Sequence, residues 1–115
     1  MKITIYQVDA FTDKIFKGNP AAVCPLKRWL PDDVMQNIAM ENNLSETAFF
    51  IMKENKIEIR WFTPNTELDL AGHPTLATAH VILKEMKIKK RDLIFKTKLN
   101  DELKINFKNN IYYMN

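Results

Sequence analysis

The sequence predicts an α+β fold in which a curled, mostly antiparallel sheet wraps barrel-like around one central apolar helix. Three observations carry that expectation. From Leu76 to Leu83 nearly every residue is apolar, broken only by Thr78 and His80, and a helix apolar all round is buried all round. The segments on either side read as strands, so strands are the material available to bury it. Polar turns separate those strands at short intervals, at Lys53-Glu54-Asn55-Lys56, Asn100-Asp101 and Asn109-Asn110.

Taken in order, Ile3, Ile5 and Val8 suggest a first strand ending by Asp9, and 11–19 reads as loop. Pro20 to Pro25 is a short apolar segment bounded by prolines, which as a strand must lie at a sheet edge or be very brief. Pro31-Asp32-Asp33 opens a helix, with proline in the first turn and acids facing the positive end of the dipole. Val34, Met35, Ile38 and Ala39 form its apolar stripe, and Asn42-Asn43 stop it. Strands follow at 47–52 and 57–62. In the second, Ile57, Ile59 and Trp61 face one way and Glu58 and Arg60 the other. The central helix is expected from Pro74 to about Lys87, and three antiparallel strands at 92–99, 102–107 and 111–114 complete a ββαββαβββ order.

At 115 residues and 46% hydrophobic the chain holds one core, so residues 1–115 are expected to form a single domain. No apolar run approaches the roughly 18 residues of a membrane span, and the alternating N-terminus lacks the continuous apolar stretch of a signal peptide. A cytoplasmic protein is the expectation. The net charge of +3 is uneven, with nine Lys/Arg against four acids between Lys84 and Lys108. Those lysines alternate with apolar residues at strand spacing, without an aromatic platform or arginine cluster, so they read as a solvated face rather than a nucleic-acid surface. Cys24 is the single cysteine. It permits no internal disulfide, offers no metal cluster, and reads as a small buried hydrophobe.

The only glycines, Gly18 and Gly72, both stand in a Gly-Xaa-Pro setting: Gly18-Asn19-Pro20 and Gly72-His73-Pro74. A chain this poor in glycine is expected to use it where positive φ or close backbone approach is needed. Gly72-His73-Pro74 immediately precedes the apolar helix, whose free N–H groups suit a carboxylate or a developing oxyanion. A histidine there can donate a hydrogen bond or shuttle a proton, or it can simply close a tight turn. Glu46, between Ser45 and Thr47 at the mouth of an apolar strand, is either a general base or a capping glutamate, and position alone leaves the two level. His80 reads as a satisfied core histidine. No acid at ligand spacing joins it to His73, so no metal site is expected. Glu67 and Asp69 read first as the polar side of an extended segment and second as acid/base partners. No P-loop, dinucleotide fingerprint or nucleophile elbow is present, and no cofactor is expected.

Five motifs occur in one order: Asp9-Ala10-Phe11-Thr12, 18–23 (GNPAAV), 43–49 (NLSETAF), 60–64 (RWFTP) and 69–76 (DLAGHPTL). In this the chain resembles the PhzF-like phenazine biosynthesis family from its first strand to about Met114. The resemblance implies one half of a diaminopimelate-epimerase-like fold, in which two similar halves, each a curled sheet around a helix, enclose a cleft. It implies that Glu46 is the catalytic acid/base, moving a proton within a small carboxylate-bearing substrate. Gly72, His73 and Pro74 would bind that substrate, with Asn19 and Asp69 in support. The epimerase relatives carry a catalytic cysteine just before the matching glycine. Ala71 stands there in this chain, which favours glutamate-driven isomerisation over a cysteine pair.

The chain reaches about the end of the first half of such a protein. A truncated gene product, an excised domain and a half-length protein that dimerises are the three readings of that length. The expectation adopted is a homodimer that rebuilds the cleft, with a non-catalytic remnant or small-ligand-binding module as the alternative.

Overall fold

Two helix crossovers of opposite placement organise the chain. In the computed structural model, which describes residues 2–8, 20–109 and 111–114, the elements are β1 (Tyr6–Val8), β2 (Ala21–Pro25), α1 (Asp32–Asn42), β3 (Glu46–Met52), β4 (Ile57–Phe62), β5 (Glu67–Leu68), α2 (Gly72–His80) continued by a π turn (Val81–Glu85), β6 (Asp92–Lys96), β7 (Glu102–Lys108) and β8 (Ile111–Met114). The sheet order is β1-β2-β3-β4-β6-β7-β8, with β5 paired to β4. Neighbours are antiparallel except β2 with β3 and β4 with β6. Parallel neighbours need a long crossover, and α1 and α2 supply one each.

The two faces of the sheet can be assigned from the period-2 alternation. Val23, Ala48, Phe50, Ile57, Ile59, Trp61, Leu93, Phe95 and Ile105 share one core with Ala77, Ala79, Val81 and Ile82 of the α2 segment. One core that joins this helix to residues from β2 round to β7 is that of a sheet curled about it. The alternate residues Cys24, Phe49 and Phe62 pack instead with Met35 and Ala39 of α1 on the outer face. There Phe49 and Phe62 meet edge to face, their ring centroids 5.6 Å apart.

Local signals placed α1 well. Its first turn carries Asp32 and Asp33, and it ends where Asn43 turns left-handed (φ 52°) and its N–H reaches Ala39 O. The hairpin at Lys53 to Lys56 is closed by Lys53 N–H to Lys56 O.

Several expectations need correction. β2 is not an edge strand, for it lies between β1 and β3. Pro20 precedes it and Pro25 ends it, so no proline interrupts the ladder between. β6 stops at Lys96, because Thr97 begins a tight turn closed by Asn100 N–H to Thr97 O. The short β5 was read as extended but not as a strand. The left-handed conformations fall on Asn43, Lys87, Asn100 and Asn109, whereas Gly72 has no positive φ. Its reason is close approach: a Cβ there would lie 2.9 Å from Met114 Cε. Gly18 and Asn19, the other glycine turn, lie outside the described residues.

The central helix also differs from expectation. It begins two residues early, at Gly72, so Gly72-His73-Pro74 is its first turn rather than a turn before it. Beyond His80 it widens, with Met86 N–H bonding Val81 O. It is not buried all round. Gly72, Leu76, His80 and Leu83 are half-buried, a stripe at near-helical spacing, and Lys84 and Glu85 are exposed. The strand order runs from β1 to β8 without a pairing between those two among the described residues, so the curl stays open. β8 lies against part of the stripe, where Tyr112 Oη and His80 Nδ1 are 3.1 Å apart. Inside the covered part, Thr75 and Thr78 donate their hydroxyls to the carbonyls of Ala71 and Pro74, which lets polar residues sit in an apolar helix. No described helix is long and apolar enough to cross a membrane.

Candidate functional site

Glu46 is the first residue of β3 and is half-buried. Ala48 and Phe50 of the same strand face α2, while Thr47 and Phe49 face the other way, Thr47 accepting a hydrogen bond from Asn42 of α1. Since side chains alternate along a strand, Glu46 shares the face of Ala48 and projects to the α2 side. Its backbone lies beside Ala21, at the start of β2.

The first turn of α2 is at the same end of the sheet. Ala48 pairs with Trp61 across β3 and β4, and the Trp61 indole N–H donates to Thr75 Oγ1 at 2.9 Å. That bond ties the first turn of α2 to the strand residue paired with Ala48, which lies two residues along β3 from Glu46. Ala71, extended at φ −148° and ψ 110°, provides no side-chain cap. The first N–H groups of a helix lack intrahelical acceptors, and Pro74 has no N–H, so the backbone donors of this turn that have no intrahelical acceptor are those of Gly72 and His73. Gly72 and His73 are half-buried and Pro74 is buried.

The remaining candidates are placed as follows. Asp69 is exposed on the link between β5 and α2, and Asn19 falls outside the described residues. His80 is only half-buried, not a core residue, and its hydrogen bond joins it to Tyr112. Burial pushes its imidazole pKa down, as it pushes the Tyr112 phenol up. Glu67 is not an acid/base partner. Both its oxygens accept from Arg60 at 2.7 Å, with Lys98 Nζ at 3.4 Å, and the Arg60 guanidinium holds its carboxyl below the usual range. Among the described residues no group of three or more His, Cys, Asp or Glu is placed to hold a metal ion.

Arg60 is what the sequence reading missed. It was assigned to the polar face of β4, yet it is only 8% exposed, with Asp32 at 3.0 Å and the rings of Trp29 and Phe62 each 5.6 Å away. Its alternation phase was visible; the helix and β5 that cover that face were not. An open groove of about 340 Å³, bounded by Trp29, Glu58, Arg60, Lys96 and Lys98, lies on this outer side and contains none of the candidate residues.

These features define a class: an α+β half-barrel whose central helix starts, without a side-chain cap, at the end of the sheet where Glu46 opens β3. The chain belongs to the phenazine biosynthesis-like (PhzC-PhzF) family, which matches residues 8–109. It is 58% identical over 86 residues to an uncharacterized isomerase of Pseudomonas aeruginosa, covering 75% of this chain and 33% of the relative. It is 46% identical over 112 residues to the mouse (Mus musculus) phenazine biosynthesis-like domain-containing protein 2, covering 90% and 38%. A crystal structure of a phenazine biosynthesis protein of the PhzF family from Enterococcus faecalis superposes with a TM-score of 0.89 at 48% identity, over 99% of this chain and 44% of that one. A predicted epimerase from Pseudomonas aeruginosa, at 24% identity and a TM-score of 0.72, shares the fold. The chain thus spans about a third to under half of the length of these relatives.

Proposed function

We propose that this chain carries the proton-transfer wall of an isomerase site. Glu46 removes a proton from a carbon of a small carboxylate-bearing metabolite. The charge that builds on the substrate oxygens is stabilised by the first-turn N–H groups at Gly72 and His73. Glu46, now protonated, returns the proton to a different carbon, so the reaction is a net isomerisation without cofactor. Pro74 shapes the turn, and Asn19 and Asp69 are read as supporting residues. The observation that carries this reading is the strand phase that puts Glu46 on the α2 side, at the end where α2 begins. The isomerase name borne by a 58% identical relative supports the reaction class, and Ala71 leaves glutamate rather than cysteine at the site.

The rest of the cleft comes from outside residues 1–115, which we read as one domain acting in the cytoplasm. A second copy of the chain is our reading of its source. Leu70 (61% exposed) and Met114 (41%) are large apolar residues left open beside Gly72, where a second half would cover them. Sedimentation at tens of micromolar is expected to give a dimer, and a stable monomer would remove the second copy from the reading.

The catalytic claim is tested by incubating the chain with a panel of small unsaturated carboxylic acids in deuterated water and following loss of substrate proton signal by NMR. Exchange that disappears in Glu46→Gln supports it. Binding at Gly72 and His73 without exchange in the wild-type dimer would make the chain a binding module instead.

A further inference from the structure

Arg60 is the one charged side chain among the buried described residues. A buried guanidinium is costly unless its donors are met, and here they are met by Glu67 through two bonds of 2.7 Å and by Asp32 at 3.0 Å. Glu67 belongs to β5, a strand of only two residues whose backbone pairings are Trp61 with Leu68 and Phe62 with Glu67. Two pairings fix a strand weakly. The chain then runs through Asp69, Leu70 and Ala71 straight into the first turn of α2.

We propose that Arg60 is a positioning residue for the candidate site. Acting through Glu67 from the far face of the sheet, it fixes β5 and so sets where Gly72 and His73 stand relative to Glu46. The side-chain fork supplies the rigidity that a two-residue strand lacks, because a bidentate guanidinium–carboxylate pair defines an orientation as well as a distance. Lysine can keep the charge but not the fork. The proposal rests on reading the start of α2 as the site, yet its test requires no turnover.

Amide resonances and hydrogen exchange are compared by NMR in the wild-type chain, Arg60→Lys, Glu67→Gln and Asp32→Asn. Arg60→Lys and Glu67→Gln are expected to move the same resonances, at Leu68 to His73. They are expected to speed exchange there about tenfold while the amides of β3 and β7 keep their wild-type rates. Asp32→Asn, which cuts only the tie to α1, is expected to leave Gly72 and His73 unmoved. Glu67→Gln alters a partly exposed side chain and keeps the measurement available if Arg60→Lys folds poorly. Unchanged Gly72 and His73 resonances in Glu67→Gln, or a uniform rise in exchange across all strands, would overturn the proposal and make the pair a general stabiliser. Loss or retention of Glu46-dependent proton exchange is a separate result, so the two failures are distinguishable.

Discussion

Trp61 and Thr75 are joined by a buried hydrogen bond, indole N–H to hydroxyl at 2.9 Å, and the Thr75 hydroxyl in turn donates a hydrogen bond to Ala71 O at 2.7 Å. This relay pins the first turn of α2 to the end of β4. Thr75→Val keeps the shape but leaves the Trp61 N–H without an acceptor in a dry core. The expected loss is about 1–3 kcal/mol of unfolding free energy, read by urea denaturation, with Thr75→Ser costing less.

Acid is expected to weaken the fold in two windows. His80 has its pKa lowered by burial, which a smaller effect of Glu85 opposes and a smaller effect of Lys84 reinforces. Its contribution is complete above the ordinary value of 6.5 and declines as pH falls through the lower folded value. Glu67, held down by Arg60, contributes fully above 4.5 and loses that contribution as pH falls through its depressed folded value. Urea midpoints measured against pH should show both declines, with His80→Gln flattening the first and Glu67→Gln the second. A profile unchanged by either substitution would contradict the assignment.

Gly72→Ala is expected to change stability by no more than about 1 kcal/mol. The Cβ would meet Met114 Cε at 2.9 Å, but that methyl ends a flexible side chain and can swing away. Alanine also favours the helix over glycine. If thermal melting shows a larger loss, Met114→Ala in the same chain should restore it. Failure to restore would mean that the crowding lies elsewhere.

The Cys24 thiol is pushed up to about 12 by burial, and its side chain is inaccessible. Thiol reagents at pH 8 are expected to leave the native chain unlabelled and to modify it only in denaturant. Rapid native labelling would show that β2 opens readily.

Glu46→Gln is expected to retain the wild-type melting temperature within a few degrees, since the residue is half-buried at a strand start. Circular dichroism melting checks this, and it matters because lost proton exchange then reports chemistry rather than unfolding.

Much of the fold was legible locally. The bounds of α1 follow from Pro31, the two acids and Asn43, and β4 from the alternation of Ile57 to Phe62. The site was half legible. Glu46 and Gly72-His73 stand out by type and setting, yet α2 starts at Gly72, two residues before the Pro74 that local signals mark as its opening. Arg60 was hidden, since a polar residue on the second face of a strand is exposed or buried according to what covers it.

The sequence by itself determined most of the segments that become helices and strands, and that one helix is apolar enough to form a core. Caps, turns and periodicities act over a few residues and are written in neighbouring positions. Only the tertiary structure decided that β2 lies inside the sheet, that no pairing of β1 with β8 closes the curl among the described residues, and that Arg60 is buried against Glu67. Those are matters of pairing and register between distant segments, where a shift of one residue turns every side chain to the other face.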